Sequence, residues 1–135
     1  MNPKSVLIVD DEQWFLEALD DALTFEGFRV LKARDVSTAL EILQQEKVDL
    51  ITIDVMLSPG TKLEGKVDPL LAGVYLCERV AQDCPEMSAF CISVITDPVT
   101  IMKIQHYGIR FLRKGETPLR TILNMIRSRL TGLHF

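Results

Sequence analysis

Five short apolar runs, each followed by a stretch with helical periodicity, constrain this chain more than any other feature. Val6-Leu7-Ile8-Val9 contains no polar residue, as expected for a strand covered on both faces. Residues 29–33 form a weaker second strand. Leu50-Ile51-Thr52-Ile53 is a third, bounded by Asp49 and Asp54, and 89–95 and 109–112 are the fourth and fifth. Between them, Phe15, Leu16, Leu19 and Leu23 recur at helical spacing, with Gly27 as C-cap. Val36, Ala39, Leu40 and Leu43 mark a second helix, with Asp35 or Ser37 as N-cap. Leu71, Val74, Tyr75 and Val80 mark a third, which must stop before Pro85. A fourth starts at Pro98 and carries Ile101, Met102 and Ile104. The fifth starts at Thr117-Pro118, an N-cap followed by a first-turn proline, with Leu119, Ile122, Leu123, Ile126 and Leu130 on its apolar face.

Strands alternating with crossover helices imply a parallel sheet with helices on both faces, because the crossovers are right-handed. The chain has 135 residues, which suits one domain spanning 1–135. With 47% hydrophobic residues, such a domain buries a core without a disulfide or metal staple. Cys77, Cys84 and Cys91 form no C-x-x-C pair, and only His106 and His134 could join them. Zinc is therefore not expected, and buried reduced thiols are the plainer reading. The run 6–9 is too short for a signal-peptide core, and no stretch approaches the roughly 18 apolar residues of a membrane span. A cytoplasmic location without membrane insertion is the expectation. A net charge of −4 argues against direct nucleic-acid binding. The charge is unevenly spread: residues 101–135 hold seven Lys/Arg and only Glu116 as an acid.

In open parallel sheets ligands sit outside the carboxyl ends of the strands. Four such ends carry polar chemistry: Asp10-Asp11-Glu12, Asp54, Thr96 and Lys114. Carboxylates converging at one sheet end repel, and one would have its pKa raised unless a cation sat there. Mg²⁺, a hard cation taking oxygen ligands, relieves that repulsion. With a carboxylate nucleophile, a hydroxyl and an ammonium, the set suits a phosphoryl group carried on an aspartate.

The motifs Val6-Leu7-Ile8-Val9-Asp10-Asp11-Glu12, Ile53-Asp54-Val55-Met56, Ile95-Thr96 and Phe111-Leu112-Arg113-Lys114, in this order, resemble those of response-regulator receiver domains of two-component signalling. The resemblance spans nearly the whole chain. It implies an α/β flavodoxin-like fold, a doubly wound five-stranded parallel sheet of order 2-1-3-4-5 with five helices. It implies that Asp54 is the phospho-acceptor, taking a phosphoryl group from a sensor histidine kinase or phosphotransfer protein. Mg²⁺ would be held by Asp10, Asp11, Asp54 and the main-chain carbonyl of Met56. Lys114 and Thr96 would contact the phosphoryl oxygens, and Thr96 and Phe111 would form the switch. The chain would then be a signalling switch rather than an enzyme, although it assists its own phosphorylation and dephosphorylation.

Each assignment has a plainer rival. Acids at a strand end can be solvated loop residues, Thr96 a helix cap, Lys114 a surface lysine, and Phe111 an ordinary core aromatic. Trp14 reads most simply as a packed or partly exposed helix residue. The sequence also departs from the family in three places. Ser58 stands where a proline is usual, Pro59 follows, and the matching glycine is Gly73. The loop 58–70 is therefore longer by about ten residues, either covering the site or merely tolerated at the surface. Asp97-Pro98 follows Thr96, with Asp97 pointing outward as an N-cap or repelling the phosphate. Gly115 replaces the proline usual after Lys114, which disfavours a cis bond there.

These departures leave an alternative, a pseudo-receiver that binds partners without phosphoryl transfer. A phosphohydrolase of the haloacid-dehalogenase kind would need a second Asp two residues after Asp54, where Met56 stands. The basic last third offers a contact for a downstream protein target or a second copy, through the fourth helix, fifth strand and fifth helix. Alternatively it is a solvated face. No output domain is visible, so either the chain acts alone by protein contact or its output domain is missing.

Overall fold

The computed structural model describes residues 2–68 and 71–132. Its elements are β1 (Ser5–Val9), α1 (Gln13–Phe25), β2 (Arg29–Ala33), α2 (Val36–Gln45), β3 (Leu50–Ile53), α3 (Ala72–Asp83), β4 (Ser88–Ser93), α4 (Pro98–His106), β5 (Arg110–Arg113) and α5 (Leu119–Thr131). All strand pairs are parallel, and the order is β2-β1-β3-β4-β5. This is the doubly wound flavodoxin-like arrangement.

The period of two in β1 divides the core. Val6 and Ile8 face α1 and α5 and pack with Leu16, Leu19, Leu23, Ile122 and Ile126. Leu7 and Val9 face the other way, onto Val36, Ala39, Leu76, Val80 and Ile104 of α2, α3 and α4. A strand buried on both faces needs apolar residues at every position, which is why β1 reads as an unbroken run.

Local chemistry sets the ends of the elements. α1 closes with the Gly27 N–H on the Thr24 carbonyl and the Phe28 N–H on the Leu23 carbonyl. That is a Schellman motif, with Glu26 as the C-cap and Gly27 one residue beyond it. Asp35 caps α2 by accepting from the Thr38 N–H at 2.7 Å. Asp97 caps α4 by accepting from the Thr100 N–H at 3.1 Å, so its carboxylate is engaged with the helix.

Several boundaries differ from the sequence reading. β4 stops at Ser93, not 95, because the Asp97 cap and Pro98 start α4 and leave 94–96 as a connection. β5 runs one residue later than 109–112. α5 begins at Leu119 with Pro118 as N-cap and no side-chain cap, so Thr117 lies before the helix rather than capping it. Of the cysteines, Cys77 and Cys91 are buried, but Cys84 is only half-buried, at the end of α3. His134 and loop positions 69 and 70 lie outside the described residues.

The long connection after β3 turns back onto α2. Beyond the end of β1, the continuations of β2 and β3 meet directly, in a parallel bridge between Asp35 and Ser58. Val36 donates to the Ser58 carbonyl at 3.1 Å and Ser37 to the Pro59 carbonyl at 3.0 Å, so the first turn of α2 finds acceptors in the loop. Leu63 and Val67 pack against the core, and Lys62 pairs with Glu41. The cleft between loop and helix, about 810 Å³, is lined by Asp35, Ser37, Thr38, Glu64 and Lys66 among others. Asp10, Asp54 and Lys114 are not among its lining residues.

Candidate functional site

Three residues stand one position past a strand end, and the sheet ladder holds each of them there. Asp10 donates its N–H to the Ala33 carbonyl, Asp54 to the Val9 carbonyl and Lys114 to the Ser93 carbonyl, each at 3.0 Å. Their side chains converge. Lys114 Nζ donates to Asp10 Oδ2 at 2.7 Å, Glu12 Oε1 at 2.7 Å and Asp54 Oδ2 at 3.0 Å. Side-chain exposure is 2% for Lys114, 2% for Asp10 and 4% for Asp54, against 41% for Glu12. The other oxygens are also held: Asp10 Oδ1 accepts from the Glu12 N–H at 2.9 Å, and Asp54 Oδ1 from the Met56 N–H at 3.2 Å. The ammonium lies 4.8 Å from the Phe15 ring centroid, a cation–π contact on its apolar side.

Gly73 makes the close approach of α3 possible. Its N–H donates to the Val55 carbonyl at 3.0 Å, and a Cβ there would stand 2.1 Å from the Asp54 carbonyl oxygen. Only glycine lets α3 begin against the backbone that carries Asp54. Gly115, after Lys114, has φ +87°, and no described peptide bond is cis.

Burial raises the Asp10 carboxyl to about 6, against the lowering effect of its hydrogen bonds from Lys114 and the Glu12 N–H. Burial works to lower the Lys114 ammonium, but the hydrogen bonds to Asp10 and Glu12 and the charge of Asp54 outweigh it and leave it above the ordinary lysine value. Glu12 is held below its ordinary value by the hydrogen bonds from Lys114 and then Trp14. One oxygen from each of Asp10, Glu12 and Asp54 lies within 4.8 Å of the others. Three carboxylates against one ammonium leave two formal negative charges, the complement of a divalent cation. The all-oxygen donor set is that of a hard ion.

The structure does not gather every residue singled out in the sequence. Asp11 is exposed and outside the cluster, and its backbone carbonyl accepts from Arg34 at 2.8 Å. Met56 is half exposed and adjoins Asp54 through its N–H. Phe111 lies level with Cys91, half-buried against the α2–α4 face of the core. Thr96 does not end β4. It is exposed in the connection to α4, three residues beyond the strand.

The hydroxyl at the strand end is that of Ser93. Ile53 is level with Cys91, which brings Ser93 just beyond Asp54, and its carbonyl accepts from Lys114. Ser93 is fully buried, and its Oγ has no hydrogen-bond partner among the described residues. An orphaned buried hydroxyl is uncommon and marks a place where a partner is expected. Sequence reasoning passed over Ser93, and named Glu12 at the first strand end without giving it a role. Ser93 sits inside an apolar run that reads as strand through 95. Glu12 lies outside β1, and only its long side chain reaches back.

The sequence profile of the response regulator receiver domain matches residues 6–127. Probable transcriptional regulator ycf27 of Cyanophora paradoxa is 29% identical over 106 residues, covering 77% of this chain and 40% of that protein. Alkaline phosphatase synthesis transcriptional regulatory protein PhoP of Bacillus subtilis is 35% identical over 79 residues, covering 58% and 28%. The chain thus spans less than half the length of either relative. A CheY-like response regulator receiver domain protein from Methanospirillum hungatei JF-1 shares the fold with a TM-score of 0.81, at 23% identity over 96% of this chain and 95% of that one. With the profile running from β1 into α5, this chain belongs to the response regulator receiver domain family of two-component systems.

Proposed function

We propose that this receiver is an active phosphorylation switch whose acceptor is Asp54. The observation that carries the reading is the buried Asp54 carboxylate held 3.0 Å from Lys114 Nζ within an acidic cluster that retains two surplus negative charges. Asp54 Oδ attacks the phosphorus of a phosphohistidine on a sensor kinase or phosphotransfer protein. A P–O bond forms, the P–N bond breaks, and the histidine nitrogen leaves with the electron pair and takes up a proton.

Asp10, Glu12 and Asp54 would hold Mg²⁺, joined by Asp11 and the Met56 carbonyl as the family resemblance implies. When bound, Mg²⁺ supplies the positive charge that lets an anionic carboxylate and an anionic phosphoryl group approach. Lys114, already charged and aimed by its backbone anchor, neutralises a phosphoryl oxygen. Ser93, with its free buried hydroxyl, donates to another, the part the sequence reading gave to Thr96. Phe111 then responds to the change at Ser93 and carries it to α4 and β5, a local charge event biasing a two-state element. The chain acts as a relay rather than as a turnover enzyme, in the cytoplasm, on a downstream protein or output domain. A homodimer through α4, β5 and α5 is one way it would do so. No observation favours a pseudo-receiver, since acceptor, lysine and acids converge.

The test is incubation with acetyl phosphate and Mg²⁺, followed by intact mass. Wild type should gain one phosphoryl group, and Asp54→Ala or removal of Mg²⁺ by a chelator should prevent the gain. An unmodified wild type would refute the reading.

A further inference from the structure

Glu12 is the one member of the cluster that looks both inward and outward. Its Oε1 accepts from buried Lys114 at 2.7 Å, while its Oε2 accepts from Trp14 Nε1 at 2.8 Å. Trp14 is 59% exposed on the first turn of α1 and is the chain's single tryptophan. Its ring meets Phe15 edge-on, with centroids 5.6 Å apart, and Phe15 itself lies under the Lys114 ammonium. A continuous path therefore runs from the buried ammonium through one carboxylate to an indole at the surface. The three carboxylates on Lys114 are not equally fixed. Asp10 and Asp54 are each held by a backbone N–H and are buried, whereas Glu12 is partly exposed and makes no capping hydrogen bond to α1.

We infer that Glu12 is a positioning residue that couples occupancy of the cation site to Trp14. With no cation, Glu12 accepts from Lys114 and pins the indole. When a divalent cation enters, Glu12 is the carboxylate free to turn toward it, which releases the indole and changes the exposed face of α1. This rests on the cation-binding part of the function proposed above.

The experiment pairs calorimetry with tryptophan emission as Mg²⁺ is added to wild type, Glu12→Ala and Glu17→Gln. The Glu17 variant removes a charge from the exposed side of α1, outside the cluster. Wild type and Glu17→Gln should show a saturable emission change with the same midpoint as the calorimetric binding curve. Glu12→Ala should still bind Mg²⁺, about two- to fivefold more weakly, as for loss of one partly exposed charge interaction, and should lose the emission change. Mg²⁺ binding to wild type without an emission change, or a full emission change in Glu12→Ala, would overturn the coupling while leaving the acceptor site intact. No Mg²⁺ binding to wild type by calorimetry would overturn both the coupling and the cation part of the proposed function.

Discussion

Lys114 carries the charge balance of the site. Removing one partner from a buried ion pair leaves the other uncompensated, which costs about 3–5 kcal/mol. Lys114→Met should therefore lower stability by roughly that amount, because Asp10 and Asp54 stay buried without their ammonium. Mg²⁺ should restore more of the melting temperature in this variant than it adds to wild type, as calorimetric scans with and without the ion would show. Equal Mg²⁺ effects on both proteins would mean that the cation and the lysine do not answer the same charge.

Ser93 and Thr96 separate just as sharply. Ser93 Oγ is buried with no partner among the described residues, so Ser93→Ala should leave the resting melting temperature unchanged or slightly raised. On phosphorylation of Asp54 as proposed, the same variant should lose a hydrogen bond to a charged group, worth about 1.5–3 kcal/mol, or about 10- to 150-fold in the switched population. NMR shifts at Phe111 on phosphorylation should shrink accordingly, whereas Thr96→Ala should keep them. The reverse pattern would return the role to Thr96.

At the scale of elements, the site depends on how closely α3 and α4 begin against the sheet. Gly73→Ala would force a Cβ into the Asp54 carbonyl, and backbone must move to admit it. The expected cost is about 1–3 kcal/mol, read from denaturant unfolding, together with slower phosphorylation as Asp54 shifts. At the start of α4, hydrogen bonds from Thr100, first its side chain and then its N–H, hold the Asp97 carboxyl below its ordinary 3.8. A carboxyl with a lowered folded pKa adds stability above its unfolded value and loses it as pH falls through the folded one. Asp97→Ala should thus lower the melting temperature at pH 7, and the gap from wild type should close as pH falls below 3.8.

These elements also show what a single sequence reveals. Strands β1 and β3 are legible because their buried faces demand aliphatic runs and an acid follows each of them. The end of β4 is not. Val94 and Ile95 continue the apolar run, and the strand stops where its pairing with β5 ends, at Ser93 beside Arg113. That two-residue difference moves the strand-end hydroxyl from Thr96 to Ser93.

For the whole molecule, the winding of the sheet brings residues 10, 54 and 114 to one edge. The strand order places β1 beside β3, and β4 carries β5. Convergence at the carboxyl ends follows from the βα pattern alone. The docking of the long loop on α2 does not, since it depends on Ser37 and Asp35 meeting a chain more than twenty residues away. The basic last third is partly spent inside the fold: Arg127 pairs with Glu26 of the α1 C-cap, and Arg129 lies over the Phe90 ring at 5.0 Å. Composition shows the cluster of cations but not which of them are already engaged.

The most direct test of the account is to map the phosphoryl group after treatment with acetyl phosphate and Mg²⁺, by tandem mass spectrometry of the digested protein. The group should sit on Asp54 and nowhere else. Label on Asp10, Asp11 or Glu12, with Asp54 unmodified, would contradict the account.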